Sequence, residues 1–378
     1  MILDSIFLAA RQIEPQPGFI VGPIATFFGW IIDFLFNIVH SISPVHALGF
    51  TIILMTIIFR AALMPLGIKA QKSMMKMREL KPELDKIQEK YGKSKDPEIV
   101  KKANAEKAAL MSKHDANPLK GCFPMLLQMP LFIGLTFILR QSFLYITQLR
   151  DLYYRLAAAL IEVPGIVNIL APAQAPGAVL PDYHANATRL IPAAMQENAV
   201  AASALVQQGF TLEQAREQVG DFINLLIPHD LSRVLNRFTS EQWDWLGVQI
   251  SAIDPAQWAI IAELNEQRNA IETFFGLSVI EQSGWSWPLV IIPILVGITM
   301  LCSSWLMQLR TADPNADDKA KMQQKIMLIV MPVIMTFFTV GFPVGVGLFW
   351  ITSQIFQIAQ DLILNKKAGI PFRLPFKR

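Results

Sequence analysis

"LGFTIILMTIIFRAALMPL", residues 48–66, is the stretch on which the fold class turns. Its nineteen residues are apolar or weakly polar except for Arg60, which sits well inside the run. A bilayer core of about 30 Å takes about 20 mostly apolar residues as one helix, so the run reads as a membrane span with a permanent charge inside it. Two readings of that charge stand side by side. Nine residues, about 13 Å of helix, separate Arg60 from Lys69, so its long side chain could snorkel most of the way to the headgroups. Alternatively it faces a wet cavity shared with other helices. A central arginine costs about 2.5 to 3.5 kcal/mol on insertion scales and is retained most often where it lines a hydrated path.

The composition supports a membrane protein. Hydrophobic residues make up 53% of the 378 residues and charged ones only 17%, with 24 Phe and 16 Met, which is too apolar for an ordinary soluble domain. Cys122 and Cys302 each lie in an apolar run, far apart in sequence. They read as small apolar fillers rather than as a disulfide framework or a metal site.

Four further runs are long and apolar enough to cross: 119–141, 287–309, 325–341 and 343–364. Only Phe342 separates the last two, flanked by Gly and Pro, which reads as a tight helical hairpin. A sixth candidate, residues 24–43, is "IATFFGWIIDFLFNIVHSIS". Its Asp33 and His40 among Trp30, Phe34 and Phe36 fit an amphipathic helix at the outer interface better than a sixth span, which stays the alternative. Residues 1–23 read as an outer segment with no basic start and no lipid-attachment cysteine.

Loop charge orients the chain, because cytoplasmic loops carry the excess of Lys and Arg. Residues 67–117 hold twelve Lys and one Arg against eight acids, whereas residues 151–286 hold six Arg, no Lys and fifteen acids. Residues 362–378 hold five basic residues and no acid. Five spans satisfy these counts with the N-terminus out and the C-terminus in, leaving 310–324 as a cytoplasmic loop and 365–378 as a basic cytoplasmic tail.

The basic segment 67–117 reads as a helical hairpin. Met74, Met77, Leu80, Leu84 and Ile87 recur at spacings of three and four, Tyr91-Gly92 ends the first helix, and Asp96-Pro97 opens a second. A solvated charged spacer is one reading. An adaptable methionine-rich receiving surface, with lysines that attract phosphate headgroups or ribosomal RNA, is the other. The acidic segment 151–286 reads as an extracytoplasmic helical insert. Its loop spans residues 163–181, and helix starts are signalled at Thr211 with Gln214, Thr239 with Gln242, and Asp254-Pro255. Nothing in it looks catalytic.

No glycine-rich phosphate loop, His-Glu-x-x-His, nucleophile elbow or spaced Cys/His cluster occurs, and the five histidines are scattered between elements. No cofactor, metal or small-molecule substrate is called for. The only acid inside a span is Asp361, at the cytoplasmic end of the fifth, which argues against an ion-coupled transporter. The polar residues of the fifth span fall on one flank: Ser353 and Gln357 are four apart, as are Trp350 and Gln354 on the neighbouring line. One polar flank on an apolar helix suggests a groove.

"FRAALMPLGIKAQKSMMKMRELKPELDKIQEKYG", "NPLKGCFPMLLQMPLFIGL" and "MPVIMTFFTVGFPVGVGLFWITSQIFQIAQD" resemble the YidC family of membrane protein insertases, whose organellar relatives are the Oxa and Alb proteins. The likeness covers roughly residues 24–150 and 274–364. It implies an all-α membrane protein whose five transmembrane helices surround a hydrophilic groove open to the cytoplasm and to lipid. Arg60 matches the groove arginine, Gln128 and Trp350 match groove-lining positions, and Gln354, Ser353 and Gln357 join them. The hairpin, with Met74, Met77, Leu80 and Leu84, matches the element that receives substrates. The chain departs from the pattern in its long insert between the second and third spans, where the family typically has a short connection.

The resemblance implies a non-enzymatic insertase and chaperone of a bacterial cell membrane. Its partners would be nascent membrane proteins and the lipid bilayer, with the Sec translocon and the ribosome as optional ones. The rival readings are a polar-cavity channel or transporter, and a structural anchor for the insert.

Overall fold

The computed structural model describes residues 21–92, 96–114, 118–170, 214, 228–236, 238–311, 322 and 326–367. The expectations for residues 1–20, for the loop over 171–181, for the cap at Thr211, for most of the loop 310–324 and for the tail beyond 367 lie outside them. In chain order the helices are α1 (Val21–Ile42), α2 (Ala47–Glu79), α3 (Lys81–Tyr91), α4 (Pro97–Lys113), α5 (Pro118–Arg140), α6 (Ser142–Tyr145), α7 (Thr147–Ile161) and α8 (Ile166–Leu170). They continue with α9 (Pro228–Leu235), α10 (Ser240–Ile253), α11 (Pro255–Glu272), α12 (Ile291–Thr311), α13 (Met331–Thr339) and α14 (Val344–Lys367). The fold class is all-α, as the sequence led us to expect. The described strands are the two-residue β1 (Thr273–Phe274) and β2 (Leu277–Ser278), paired antiparallel. Two compact units divide the chain: Met1–Thr51 with Gly134–Gln282 and Pro343–Gly345, and Ile52–Ile133 with Ser283–Phe342 and Val346–Arg378.

In the first unit α1 buries Ala25, Phe28, Ile32, Leu35 and Phe36 and exposes Phe27, Trp30, Phe34 and Ile38. Its acid has a definite task. The Asp33 carboxylate accepts from the backbone N of Thr147 at 2.8 Å and from the Thr147 hydroxyl at 3.2 Å, so it satisfies orphan donors at the start of α7. Gln148 donates to Asn37 Oδ1 at 2.9 Å. Helix α1 is also long and apolar enough to cross a membrane, so length does not separate the interfacial from the spanning reading.

The insert is a helical bundle in which α7 packs against α9 and α11, and α10 against α11. Thr239 and Gln242 form the expected capping box, and Asp254 Oδ1 accepts from Gln257 N at 2.9 Å to cap α11. The β1–β2 hairpin, which the sequence reading did not contain, turns at Phe275 and Gly276 with φ of 48° and 85°. His46 joins the start of α2 to the end of α11. Its backbone N donates to Ala270 O at 2.7 Å, and its Nδ1–H donates to Thr273 O. Glu281 O and Val279 O accept from the N–H groups of Val344 and Gly345 at 2.8 and 2.7 Å, which satisfies the opening turn of α14.

At the centre of the insert lies a buried charge network. Arg268 Nη1 donates to Glu272 Oε2 at 2.6 Å, Tyr153 Oη donates to Glu272 Oε1 at 2.9 Å, and the guanidinium lies 4.6 Å from the Trp243 ring centroid. Burial pushes the Glu272 carboxyl above its ordinary range, and Arg268 and the Tyr153 hydroxyl pull it only part of the way back.

In the second unit α2 does not stop at residue 66; it runs on past Pro65 to Glu79. The stripe from Met74 to Ile87 is not one helix, because Pro82 has no N–H to offer and the chain turns at Leu80 before α3 begins. Gly92, at φ 62°, ends α3, and Asp96 caps α4 by accepting from Glu98 N at 2.9 Å. Helix α13 is preceded by a π-helical turn, Ile326–Val330, just before Pro332 removes the donor for the Leu328 carbonyl. Gly297 of α12 lies so close to Thr336, and Gly347 of α14 so close to Ile292, that a Cβ at either position would overlap the neighbouring side chain. Besides α1, the stretches Ala47–Ala70 and Ile291–Gln308 are long and apolar enough to cross a membrane, and Gln128–Arg140 and Leu328–Thr339 are shorter apolar helices.

Candidate functional site

Arg60 lies in α2, nineteen residues before its end at Glu79. The side chain is half-buried, and its Nε is fully buried with no hydrogen-bond partner among the described residues. Along α2, Arg60, Leu63, Gly67, Ala70 and Ser73 follow the three-and-four spacing of one face, and Ala70 and Ser73 are buried. At Gly67 that face meets α14: a Cβ there would stand 3.7 Å from Gln360 Nε2. The starts of both helices are tied to residues 270–281, α2 through His46 and α14 through Val344 and Gly345, and the two meet again at Gly67 and Gln360, so they run the same way. Seven residues before Gly67 is Arg60, and seven before Gln360 is Ser353. At about 1.5 Å per residue, this register sets Arg60 level with Ser353 and Gln354.

Helix α14 has two faces. Ile355, Leu362 and Ile363 are exposed, while the polar line comprises half-buried Trp350, Gln354 and Gln357 with buried Ser353, Gln360 and Asp361. Ser353 Oγ is buried without a hydrogen-bond partner among the described residues, and Gln357 Nε2 donates to Asp361 Oδ1 at 3.2 Å. The sequence reading stopped this line at Gln357. Gln360 and Asp361 continue the same spacing by one turn, a signal that was present but was read only as the end of the span.

Gln128 is half-buried on α5, and one turn on, Phe132 stacks on Trp350 with centroids 5.2 Å apart and rings 17° from parallel. Phe342 packs against both, at 5.3 and 5.7 Å, and Phe338 lies 4.9 Å from Phe342 and 6.0 Å from Trp350. Phe338 comes from the last turn of α13 and Phe342 from the turn that precedes α14, so this aromatic cluster closes the N-terminal end of the polar line. Gln128 thus lies one turn from the residue that stacks on Trp350, and the register sets Arg60 at the level of Ser353 and Gln354.

The hairpin residues are spread over two helices and the turn between them. Met77 is half-buried near the end of α2, Leu80 is buried at the turn, and Leu84 is half-buried on α3; the Met74 side chain is outside the described atoms. The hairpin of α3 and α4 is clasped by Lys90 Nζ, 2.9 Å from Glu106 Oε2, by Tyr91 Oη donating to Glu106 at 2.8 Å, and by Lys107 donating to Gln88. The hydrogen bond from Lys90 holds the Glu106 carboxyl below its usual range, and the same bond raises the Lys90 ammonium. Among the described residues no three His, Cys, Asp or Glu are grouped to hold a metal ion.

The family model for the "60Kd inner membrane protein" matches residues 39–207 and 229–369, on either side of a short stretch within the insert. The chain belongs to this family. Relatives include the "Membrane protein insertase YidC 1" of Bacillus anthracis, 38% identical over 143 residues, which are 38% of this chain and 55% of that protein. The "Membrane protein insertase MisCA" of Bacillus subtilis (strain 168) is 49% identical over 86 residues, 23% of this chain and 33% of its own. The "Membrane protein insertase YidC" of Wolinella succinogenes is 24% identical over 368 residues, 97% of this chain and 41% of that protein. The chain thus spans about half or less of the length of these curated relatives. Arg60, Gln128 and the polar line of α14 all fall inside the matched ranges.

Proposed function

We propose that this chain is a membrane protein insertase, the activity for which its relatives are named, and that it works through a groove centred on Arg60. The observation that carries the reading is the Arg60 guanidinium, half-buried in an apolar helix with its Nε unpartnered and level with Ser353 and Gln354. A short acidic segment of a nascent membrane protein enters from the cytoplasm, is attracted by Arg60, and exchanges part of its hydration for the polar line of α14. Its apolar helix then passes into lipid, where each Leu, Ile or Phe gains about 0.3 to 0.6 kcal/mol on the insertion scale. No covalent chemistry is involved. The loop charges favour the N-terminus outside and the C-terminus inside a bacterial membrane, with α1 at the outer interface and the hairpin receiving substrates. Sec translocon and ribosome are partners this reading allows without requiring.

A conducting channel is the weaker reading. It needs polar side chains to continue past Trp350, where the neighbours are Phe132, Phe338 and Phe342. The test is insertion of a single-spanning protein with an acidic outer tail into vesicles holding the full chain with Arg60, Arg60→Lys or Arg60→Leu. Insertion kept by Lys and lost with Leu supports the groove mechanism. Equal insertion by Leu sinks it.

A further inference from the structure

One bulky apolar side chain of the insert stands where both its backbone and water oppose it. Phe275 is 74% exposed at the tip of the β1–β2 hairpin. Its φ of 48° and the 85° of Gly276 put both central residues of a two-residue turn in the left-handed region, where Asn-Gly is favoured and a bulky side chain is an outlier. The ring is not isolated. Its centroid lies 4.7 Å from that of Phe274 and 5.4 Å from that of His46, and Phe274 lies 5.3 Å from Phe50, which is 40% exposed in the first turn of α2.

Phe50 heads a stripe. Phe50, Leu54, Ile57, Ala61 and Met64 alternate spacings of four and three along α2, and all but half-buried Leu54 are exposed. In a helix long and apolar enough to cross a membrane, such a stripe is a surface for acyl chains. Phe274 and Phe275 carry it past the start of the helix onto the insert. The stretch Ala47–Ala70 measures about 36 Å at about 1.5 Å per residue, against a hydrocarbon core of about 30 Å. Its ends, Phe50 among them, therefore reach the boundary between acyl chains and headgroups, where exposed aromatic side chains embed. Residues 34–59 and 273–280 hold no Asp, Glu, Lys or Arg, so neither segment brings a charge to be desolvated there.

We propose that the β1–β2 turn is a membrane anchor of the insert: the Phe275 ring, continuing the exposed stripe of α2, seats in the leaflet at the N-terminal end of that helix. The occupant of the patch is phospholipid, because the patch is continuous with the exposed face of a span. Seated there the ring leaves water, which offsets the unfavourable turn conformation. The end of α11, which leads into β1, is thereby held at the bilayer surface, and the insert is tethered to lipid at a point between its two chain connections. This inference uses only the span and the insert, and it stands apart from the groove at Arg60.

The experiment uses the full chain in vesicles of phosphatidylcholine and phosphatidylglycerol, with Cys122→Ala and Cys302→Ala and a bimane fluorophore on Phe275→Cys. Ile57→Cys is the lipid benchmark, and Glu89→Cys, exposed on α3, is the water benchmark. A phospholipid with a nitroxide near its headgroup is expected to quench position 275 about half as much as position 57 or more, and several-fold more than position 89. Quenching by aqueous iodide alone overturns the proposal. Shielding from both quenchers also overturns it, since protein then covers the turn. Because Phe275→Cys removes the ring itself, the unaltered chain is irradiated as well, in vesicles of a phospholipid carrying a diazirine at the start of its acyl chain. Adducts on the peptide spanning 273–280 support the anchor, and adducts on α2 with none on that peptide refute it.

Discussion

Replacing Arg268 by methionine should unfasten the insert. The parent pair is sealed, with side chains 3% and 1% exposed and Nη1 2.6 Å from Glu272 Oε2. Removing one partner of such a pair leaves an uncompensated buried charge and costs about 3 to 5 kcal/mol. The lost contact with the Trp243 ring, 4.6 Å from the guanidinium carbon, adds about 0.5 to 2 kcal/mol. A net loss of about 4 kcal/mol is about three decades in the opening equilibrium. Replacing both residues, as Arg268→Met with Glu272→Leu, removes both charges; Asn265 and Asn269, which lose a donor, reach solvent, and the buried Tyr153 hydroxyl loses its acceptor, at about 1 to 3 kcal/mol. The double variant should thus recover part of what the single one loses. Hydrogen exchange of peptides from α7 and α11, in the full chain held in detergent, reads both effects. A single variant that loses less than about 1 kcal/mol, or a double variant no better than the single, would refute the argument.

Two further outcomes are expected. Glu272 has a raised pKa in the fold, so the folded state keeps its proton at pH values where the unfolded chain has released it. Its contribution is full below the ordinary value of 4.5 and is lost as pH rises through the folded value; the protection of α11 should fall with rising pH more steeply in the parent than in Glu272→Gln, and parallel profiles would contradict this. Gly347→Ala should force α12 and α14 apart at Ile292 and lower stability by about 1 to 3 kcal/mol, read as a fall in the thermal midpoint in detergent; an unchanged midpoint would show that the helices have room to spare.

Residues obeying local rules were legible in advance. The capping box at Thr239, the Asp254-Pro255 start and the end of α3 at Gly92 follow from side-chain chemistry within a few positions. Arg60 was legible because a charge inside an apolar run is conspicuous in any register. What sequence left out depends on distant partners. Asp33 looked like the polar side of an interfacial helix, yet its carboxylate caps α7 from 114 residues away. The apolar stripe through Leu80 suggested one helix because it ignored the donor missing at Pro82. Gln360 and Asp361 matched the periodicity, but their burial and the close approach at Gly67 exist only once α2 and α14 are packed.

Two arginines in this chain make the case for the groove by contrast. Arg268 is nearly completely buried, and the fold uses every donor group on it: Nε to Asn265, Nη1 to Glu272, Nη2 to Asn269, with an indole face alongside. That is how a packed arginine is satisfied when its role is to hold a bundle together. Arg60 stands in a more hostile setting, inside a long apolar helix, and there its Nε has no hydrogen-bond partner among the described residues. Leaving a buried donor unmade costs about 1 to 3 kcal/mol, more for a charged group. Full satisfaction at Arg268, beside an Nε at Arg60 with no hydrogen-bond partner among the described residues, supports the proposed reading of Arg60 as a guanidinium kept for a substrate partner. A hydrated or acidic segment of another protein, arriving between α2 and the polar line of α14, has the chemistry to supply that partner.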